Sequence, residues 1–160
     1  MGTVGTSLIK DIDVREIINA LDSFHAYEMV AMHFNYAVQN RLEGQALIVL
    51  DQELEEKAKE ALEHARKLAN RIAQLGGAVT GDPSKFVELS HIERFALPTD
   101  TSNVPEILAY ILEQERQAIR AYGEFLGRIN EKDIVTYQLG LEILKDKIKT
   151  EDEIEAALAK

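Results

Sequence analysis

His64 lies in the stretch KEALEHARKLANRI, residues 59–72, with Glu60 four residues before it and Glu63 beside it. Imidazole nitrogens and carboxylate oxygens are the donors that first-row metals take, and residues four apart share a helix face. Helical di-iron centres use a different spacing, Glu-x-x-His, with both side chains projecting inward. At that spacing from His64 the residue is Ala61. Glu60 is rotated away from the Ala61 position, towards solvent or a neighbouring subunit, and Glu63 towards the surface. Two more carboxylates enter the same question. Glu28 falls on a face with Leu21, Phe24, Ala31 and Asn35, and Glu115 on a face with Leu108, Ile111, Ala118 and Tyr122. A glutamate on an apolar face is costly unless it is paired, protonated or metal-bound. A fourth row, Ile143, Lys147, Thr150 and Ile154, carries a lysine inward. His25, three residues before Glu28, shares its face. A mononuclear site of His25, Glu28 and His64 is one arrangement of these groups; core residues paired with one another are the other. His91 is read as structural, and Glu151, Asp152, Glu153 and Glu155 as a solvated helix end.

The side chains that would position these groups are helical. The chain has 160 residues, 46% hydrophobic, enough for one domain with a real core. Apolar residues recur at helical spacing in four long segments, about 13–42, 45–75, 105–128 and 133–158. Asp13 is placed to cap the first, with Glu16 at capping-box spacing. The second carries Leu47, Leu50, Leu54, Leu68, Ile72 and Leu75 as its stripe and stops at the glycine pair 76–77. The fourth carries Tyr137, Leu141, Leu144, Ile148 and Leu158. Residues 76–104 form a long connection with turn chemistry and one short helical stretch, SKFVEL. Gly123, Gly127 and Gly140 sit in helix interiors, where glycine is costly and can mark close helix approach. The expectation is an all-α single domain over 1–160: two antiparallel hairpins joined by a long crossover, the connectivity of ferritin-like four-helix bundles.

Composition narrows the function classes. There is no cysteine, which excludes disulfides, zinc–thiolate sites and cysteine nucleophiles. The N-terminal stretch is too short and polar for a signal peptide, and no apolar run approaches a membrane span, so a cytoplasmic protein without membrane contact is expected. The net charge of −10 and the lack of a basic N-terminal arm argue against DNA as a partner.

The stretches AYEMVA (26–31), EALEHARKLANRIAQLGG (60–77), ILEQERQAIRAYGEFL (111–126) and DIVTYQLGLEILKDKIKTEDEIEAAL (133–158) resemble the Dps-like subfamily of ferritin-like proteins over nearly the whole chain. The resemblance implies a subunit that assembles into a hollow dodecamer, oxidises ferrous iron with peroxide and stores the ferric product. It also assigns the ligand positions of the intrasubunit di-iron centre. Glu28, His64 and Glu115 match ligands. Ala61, Lys147 and Thr150 stand where a glutamate, a glutamate and a histidine are expected, so three of six ligands remain. A cysteine pair common in the subfamily is replaced at Gln117 and near Ser90 or His91.

Two readings follow. In one, the chain is a shell subunit in which Lys147 offsets Glu28 and Glu115 in place of iron, assembling alone or with an active ferritin-like paralogue. In the other, it is an iron-storage or peroxide-consuming ferroxidase with a remodelled site around Glu28, His64 and Glu115.

Overall fold

The computed structural model describes residues 2–91 and 96–159. Six α-helices occur among them: α1 (Thr3–Thr6), α2 (Val14–Gln39), α3 (Gly44–Gln74), α4 (Phe86–Leu89), α5 (Val104–Ile129) and α6 (Ile134–Leu158). A 3₁₀ turn at Pro83–Lys85 runs into α4, where the SKFVEL stretch was expected to be helical. The described residues contain no strand, and none of their helices is long and apolar enough to cross a membrane.

Three of the four long helices start at a side-chain cap, and α3, which follows Glu43, has none. The side chains of Asp13, Asn103 and Asp133 accept from backbone N–H groups of the first turns of α2, α5 and α6. This satisfies donors that a helix start leaves without an intrahelical partner. Pro105 sits in the first turn of α5, where its missing N–H costs nothing. At the end of α3, Gly76 takes φ +86° and Gly77 N–H donates to Ile72 O at 2.9 Å, the αL ending that glycine favours.

Helix α2 packs along α3, and α5 along α6. The crossover between the two hairpins brings α4 against α2. The core fills in two halves. One holds Ile17, Leu21, Phe24, Leu68, Ile72, Tyr122 and Ile143. The other holds Phe34, Val38, Leu50, Leu54, Ile107, Leu112 and Ile154. The polar cluster described below includes Glu28 on α2, His64 on α3, Glu115 on α5 and Lys147 on α6.

The inner rows of α2 and α6 are buried at every expected position, but three stripe assignments need correction. Leu47 is 47% exposed and Ile148 41%, and Leu158 at the end of α6 is also exposed. On α3 the buried seam begins with Ala46, Leu50 and Leu54 instead, so Leu47 falls on its outer edge. On α6 the seam is the row Ile143–Lys147–Thr150–Ile154, which leaves Ile148 outside. The glycine expectation holds at one site of three. A Cβ at Gly140 would lie 2.8 Å from Leu126 Cδ2, whereas Gly123 and Gly127 face open space.

Candidate metal centre

Glu28 is the centre of the cluster. It is fully buried in the middle of α2, because its row mates Leu21, Phe24, Ala31 and Asn35 all face inward. Lys147 Nζ approaches its two carboxylate oxygens at 3.0 and 3.3 Å. Tyr122 OH donates to Glu28 Oε1 at 3.4 Å. Glu115 Oε2 lies 3.6 Å from the same ammonium, and the Tyr27 ring centroid 5.0 Å from it. Tyr27 is held in place by donating its hydroxyl to Gln114 O at 3.0 Å. The lysine therefore lies buried within reach of two carboxyl groups and an aromatic face.

Electrostatics fix the charge states. Burial alone pushes the Glu28 carboxyl up, but the Lys147 ammonium and then His64 outweigh it and hold the group below the usual glutamate range. Burial pushes the Lys147 amine down, and the Glu115 and Glu28 carboxylates outweigh that, so it stays protonated well above the usual lysine range. Glu115 goes the other way: burial raises its carboxyl, with Lys147 opposing. A protonated amine has no lone pair to give a metal. The inner cluster sets one ammonium between two carboxyl groups.

His64 links the cluster to the α3–α6 seam. Its Nδ1 faces Glu28 Oε2 at 3.6 Å and its Nε2 faces Asp146 Oδ2 at 3.1 Å. Burial lowers the imidazole pKa, and Glu28 beside it more than reverses the shift, leaving it raised. Thr150, buried on α6, accepts from Lys57 Nζ, which also donates to Glu60 Oε2 at 3.2 Å. Ala61 is buried and contributes only its methyl group.

Several residues fall differently from the sequence reading. Glu60 is only 38% exposed and bound by Lys57, not turned wholly to solvent. His25 is buried edge-on against Phe86, with ring centroids 5.9 Å apart, and belongs to the α2–α4 contact. Among the described residues, three carboxylate or imidazole donors come within 4.8 Å of one another at Glu60, His64 and Asp146. Neither the His25–Glu28–His64 set nor the Glu28–His64–Glu115 set meets that spacing. Glu151 and Glu155 are not merely a solvated helix end, because both pair with Arg116 across α5 and α6. Gln117, Ser90 and His91 line one cleft of about 480 Å³ between α2 and α5. Lys57 and Asp146 were not legible as site residues. The signal that could have found them is their spacing, since Lys57 lies seven residues before His64 and Asp146 stands beside Lys147.

Known proteins agree with this architecture. The ferritin-like domain family matches residues 18–160. The DNA protection during starvation protein of Pyrococcus furiosus is 32% identical over 145 residues, covering 88% of this chain and 75% of that protein. The bacterioferritin-related protein of Bacteroides fragilis, a dodecameric thioferritin, superposes with a TM-score of 0.86 at 28% identity, covering 98% of this chain and 90% of that one. The Dps of Thermosynechococcus elongatus shares the fold at a TM-score of 0.82 and 18% identity, covering 99% of this chain and 96% of its own. A matched domain spanning nearly the whole sequence, together with a relative above 30% identity, establishes that the chain belongs to the ferritin-like family, on its Dps-like branch.

Proposed function

We propose that this chain is a shell-forming subunit of the Dps-like ferritins whose ferroxidase position is occupied by its own lysine. The observation that carries the reading is Lys147 Nζ, 3.0 Å from Glu28 and 3.6 Å from Glu115. Ferritin-like di-iron sites use glutamates from two helices and Glu-x-x-His from the other two. At the six positions matched here, an alanine, a lysine and a threonine replace three ligands, and these residues do not fit an iron pair. The iron that this family oxidises and stores as cargo therefore has no complete oxidation centre within the subunit.

Assembly into a closed shell, a dodecamer as in the Bacteroides fragilis relative, fits the similarity along the whole chain. The subunit then supplies wall and inner surface, alone or beside an active ferritin-like paralogue that supplies oxidation. Its net charge of −10 disfavours the direct DNA contact that the name of the Pyrococcus furiosus relative implies. The cytoplasm is the compartment that suits such a shell.

Stopped-flow oxidation of ferrous iron by air and by peroxide tests the proposal. The expected result is slow, non-saturating oxidation, unchanged in Glu28→Ala. A fast phase saturating at a fixed iron-to-subunit ratio and lost in Glu28→Ala or Glu115→Ala would favour the remodelled ferroxidase instead.

A further inference from the structure

We propose that Glu60, His64 and Asp146 form a site for one divalent transition-metal ion on the α3–α6 seam, outside the Lys147 cluster. One donor atom from each lies within 4.8 Å of the other two. Donors around a tetrahedral ion bound at about 2.0–2.2 Å stand roughly 3.3–3.6 Å apart, so the set needs only side-chain adjustment to close on an ion. The side chains of Glu60 and Asp146 are 38% and 47% exposed, which leaves each room to turn, Glu60 by giving up Lys57. Two donors are already close, with His64 Nε2 at 3.1 Å from Asp146 Oδ2. All three stand on long helices, which fix their backbones.

The other ring nitrogen of His64 is an independent indication. His64 is 3% exposed, and Nδ1 is buried without a hydrogen-bond partner, facing Glu28 Oε2 at 3.6 Å. Metal-bound histidines commonly direct their second N–H at a carboxylate, which sets the tautomer and leaves the outer nitrogen's lone pair for the ion. Glu28 supplies that carboxylate, itself anchored by Lys147 and Tyr122.

Charge and donor chemistry define the ligand. Two carboxylates neutralise a divalent ion. Imidazole with two carboxylate oxygens suits zinc, ferrous iron or manganese, without the thiolates that soft ions prefer. Lys57 is the built-in competitor, since its ammonium holds Glu60 at 3.2 Å. Thr150 Oγ1 retains Lys57 when Glu60 turns to an ion. Glu60 and Asp146 each precede, by one residue, the positions of Ala61 and Lys147. The donors are displaced one residue outward from the inner row.

The test is zinc titration calorimetry on chelator-stripped, assembled protein, with cobalt as the spectroscopic probe. The expected result is saturation at one zinc per chain and visible d–d bands for cobalt. Asp146→Asn and Glu60→Gln should each weaken zinc binding ~10-fold or more. Lys57→Met should tighten it, a gain that cannot arise from misfolding of an acidic-residue variant. Glu115→Gln, which touches the ion's donors only through Lys147 and Glu28, should weaken it less than Asp146→Asn does. The absence of saturable binding overturns the proposal, as does binding indifferent to both Asp146→Asn and Lys57→Met. Loss of zinc in Glu115→Gln would put the ion in the Lys147 cluster and overturn it equally. None of these outcomes depends on whether the protein oxidises iron.

Discussion

Lys147 Nζ on α6 lies 3.0 Å from Glu28 Oε1 on α2, with the two side chains 6% and 0% exposed. This pair joins one helical hairpin to the other. Each ion taken out of water costs several kcal/mol, which the mutual attraction repays only with good geometry and satisfied neighbours. Tyr122, Glu115 and the face of Tyr27 complete those neighbours. The lysine thus does structurally what a bound cation would do electrostatically.

Removing the ammonium alone leaves two carboxylates facing each other in the core. Lys147→Ala is expected to destabilise the protein by about 3–5 kcal/mol, the usual cost of breaking a buried pair from one side. Lys147→Met combined with Glu28→Gln and Glu115→Gln should cost much less, because no carboxylate is left facing the lost ammonium. Urea unfolding at fixed protein concentration, which holds any contribution from assembly constant, measures both. A Lys147→Ala midpoint equal to wild type would contradict the buried pairing.

The ligand set can be rebuilt by reversing the three departures together. Ala61→Glu, Lys147→Glu and Thr150→His in one chain should raise the rate of ferrous oxidation at least ~10-fold, about 1.4 kcal/mol of barrier. Thr150 receives Lys57, so the new histidine must displace that ammonium, and adding Lys57→Gln should help. A folded triple variant no faster than wild type would mean that these positions do not limit oxidation.

Much of this was readable because helical periodicity is a strong signal for rows and a weak one for seams. Leu21, Phe24, Glu28, Ala31 and Asn35 step by three or four residues and are all buried, and so are Ile143, Lys147, Thr150 and Ile154. That was enough to predict a lysine among inward glutamates. Asp146 escaped because it lies one residue off the inner row of α6, and Lys57, on the α3 row of Leu54, Ala61 and His64, because a lysine is ordinarily a solvated residue. Asp146 sits half in water, the Lys57 side chain is only 15% exposed, and both reach the α3–α6 seam through their side chains. Seam positions depend on how two helices are rotated against each other, which one helix's pattern does not encode. Leu47 failed for the same reason: the α3 seam is phased on Ala46 and Leu50. Residues 92–95 of the crossover lie outside the described residues.

The α6 start gives a pH dependence away from the metal question. Asp133 is 2% exposed, caps α6 and takes two hydrogen bonds from Arg71 Nη2 at 2.9 and 3.0 Å. Burial pushes its carboxyl up, but hydrogen bonds from Thr136 and then Arg71 outweigh this, so its pKa falls below the usual 3.8. A depressed carboxyl contributes stability that is complete above the unfolded-state pKa and vanishes as pH falls through the folded one. Asp133→Asn should therefore lower stability at neutral pH by about 3 kcal/mol. It should also flatten the acid limb below about pH 4, near the ordinary aspartate value. Equal acid slopes for wild type and variant would show that the cap does not titrate with folding.

The glycines of α5 and α6 predict opposite signs for one substitution. Glycine inside a helix costs about 1 kcal/mol relative to alanine. Gly123 and Gly127 are exposed with nothing within 4 Å of an added Cβ. Gly123→Ala and Gly127→Ala should each stabilise an isolated subunit by about 0.5–1 kcal/mol. At Gly140 the methyl would meet Leu126 Cδ2 at 2.8 Å, with Tyr122 Cδ1 behind it at 4.0 Å. Leu126 is itself in the core, so moving it carries the usual overpacking cost of about 1–3 kcal/mol. Gly140→Ala should therefore be neutral to destabilising by up to about 2 kcal/mol, as that cost exceeds the propensity gain. Thermal unfolding of the three variants decides. Stabilisation by Gly140→Ala as large as by Gly123→Ala would mean that α5 and α6 do not approach as closely as Leu126 and Gly140 indicate. Loss of stability in Gly123→Ala, or in Gly127→Ala, would place a neighbouring subunit against that face of α5.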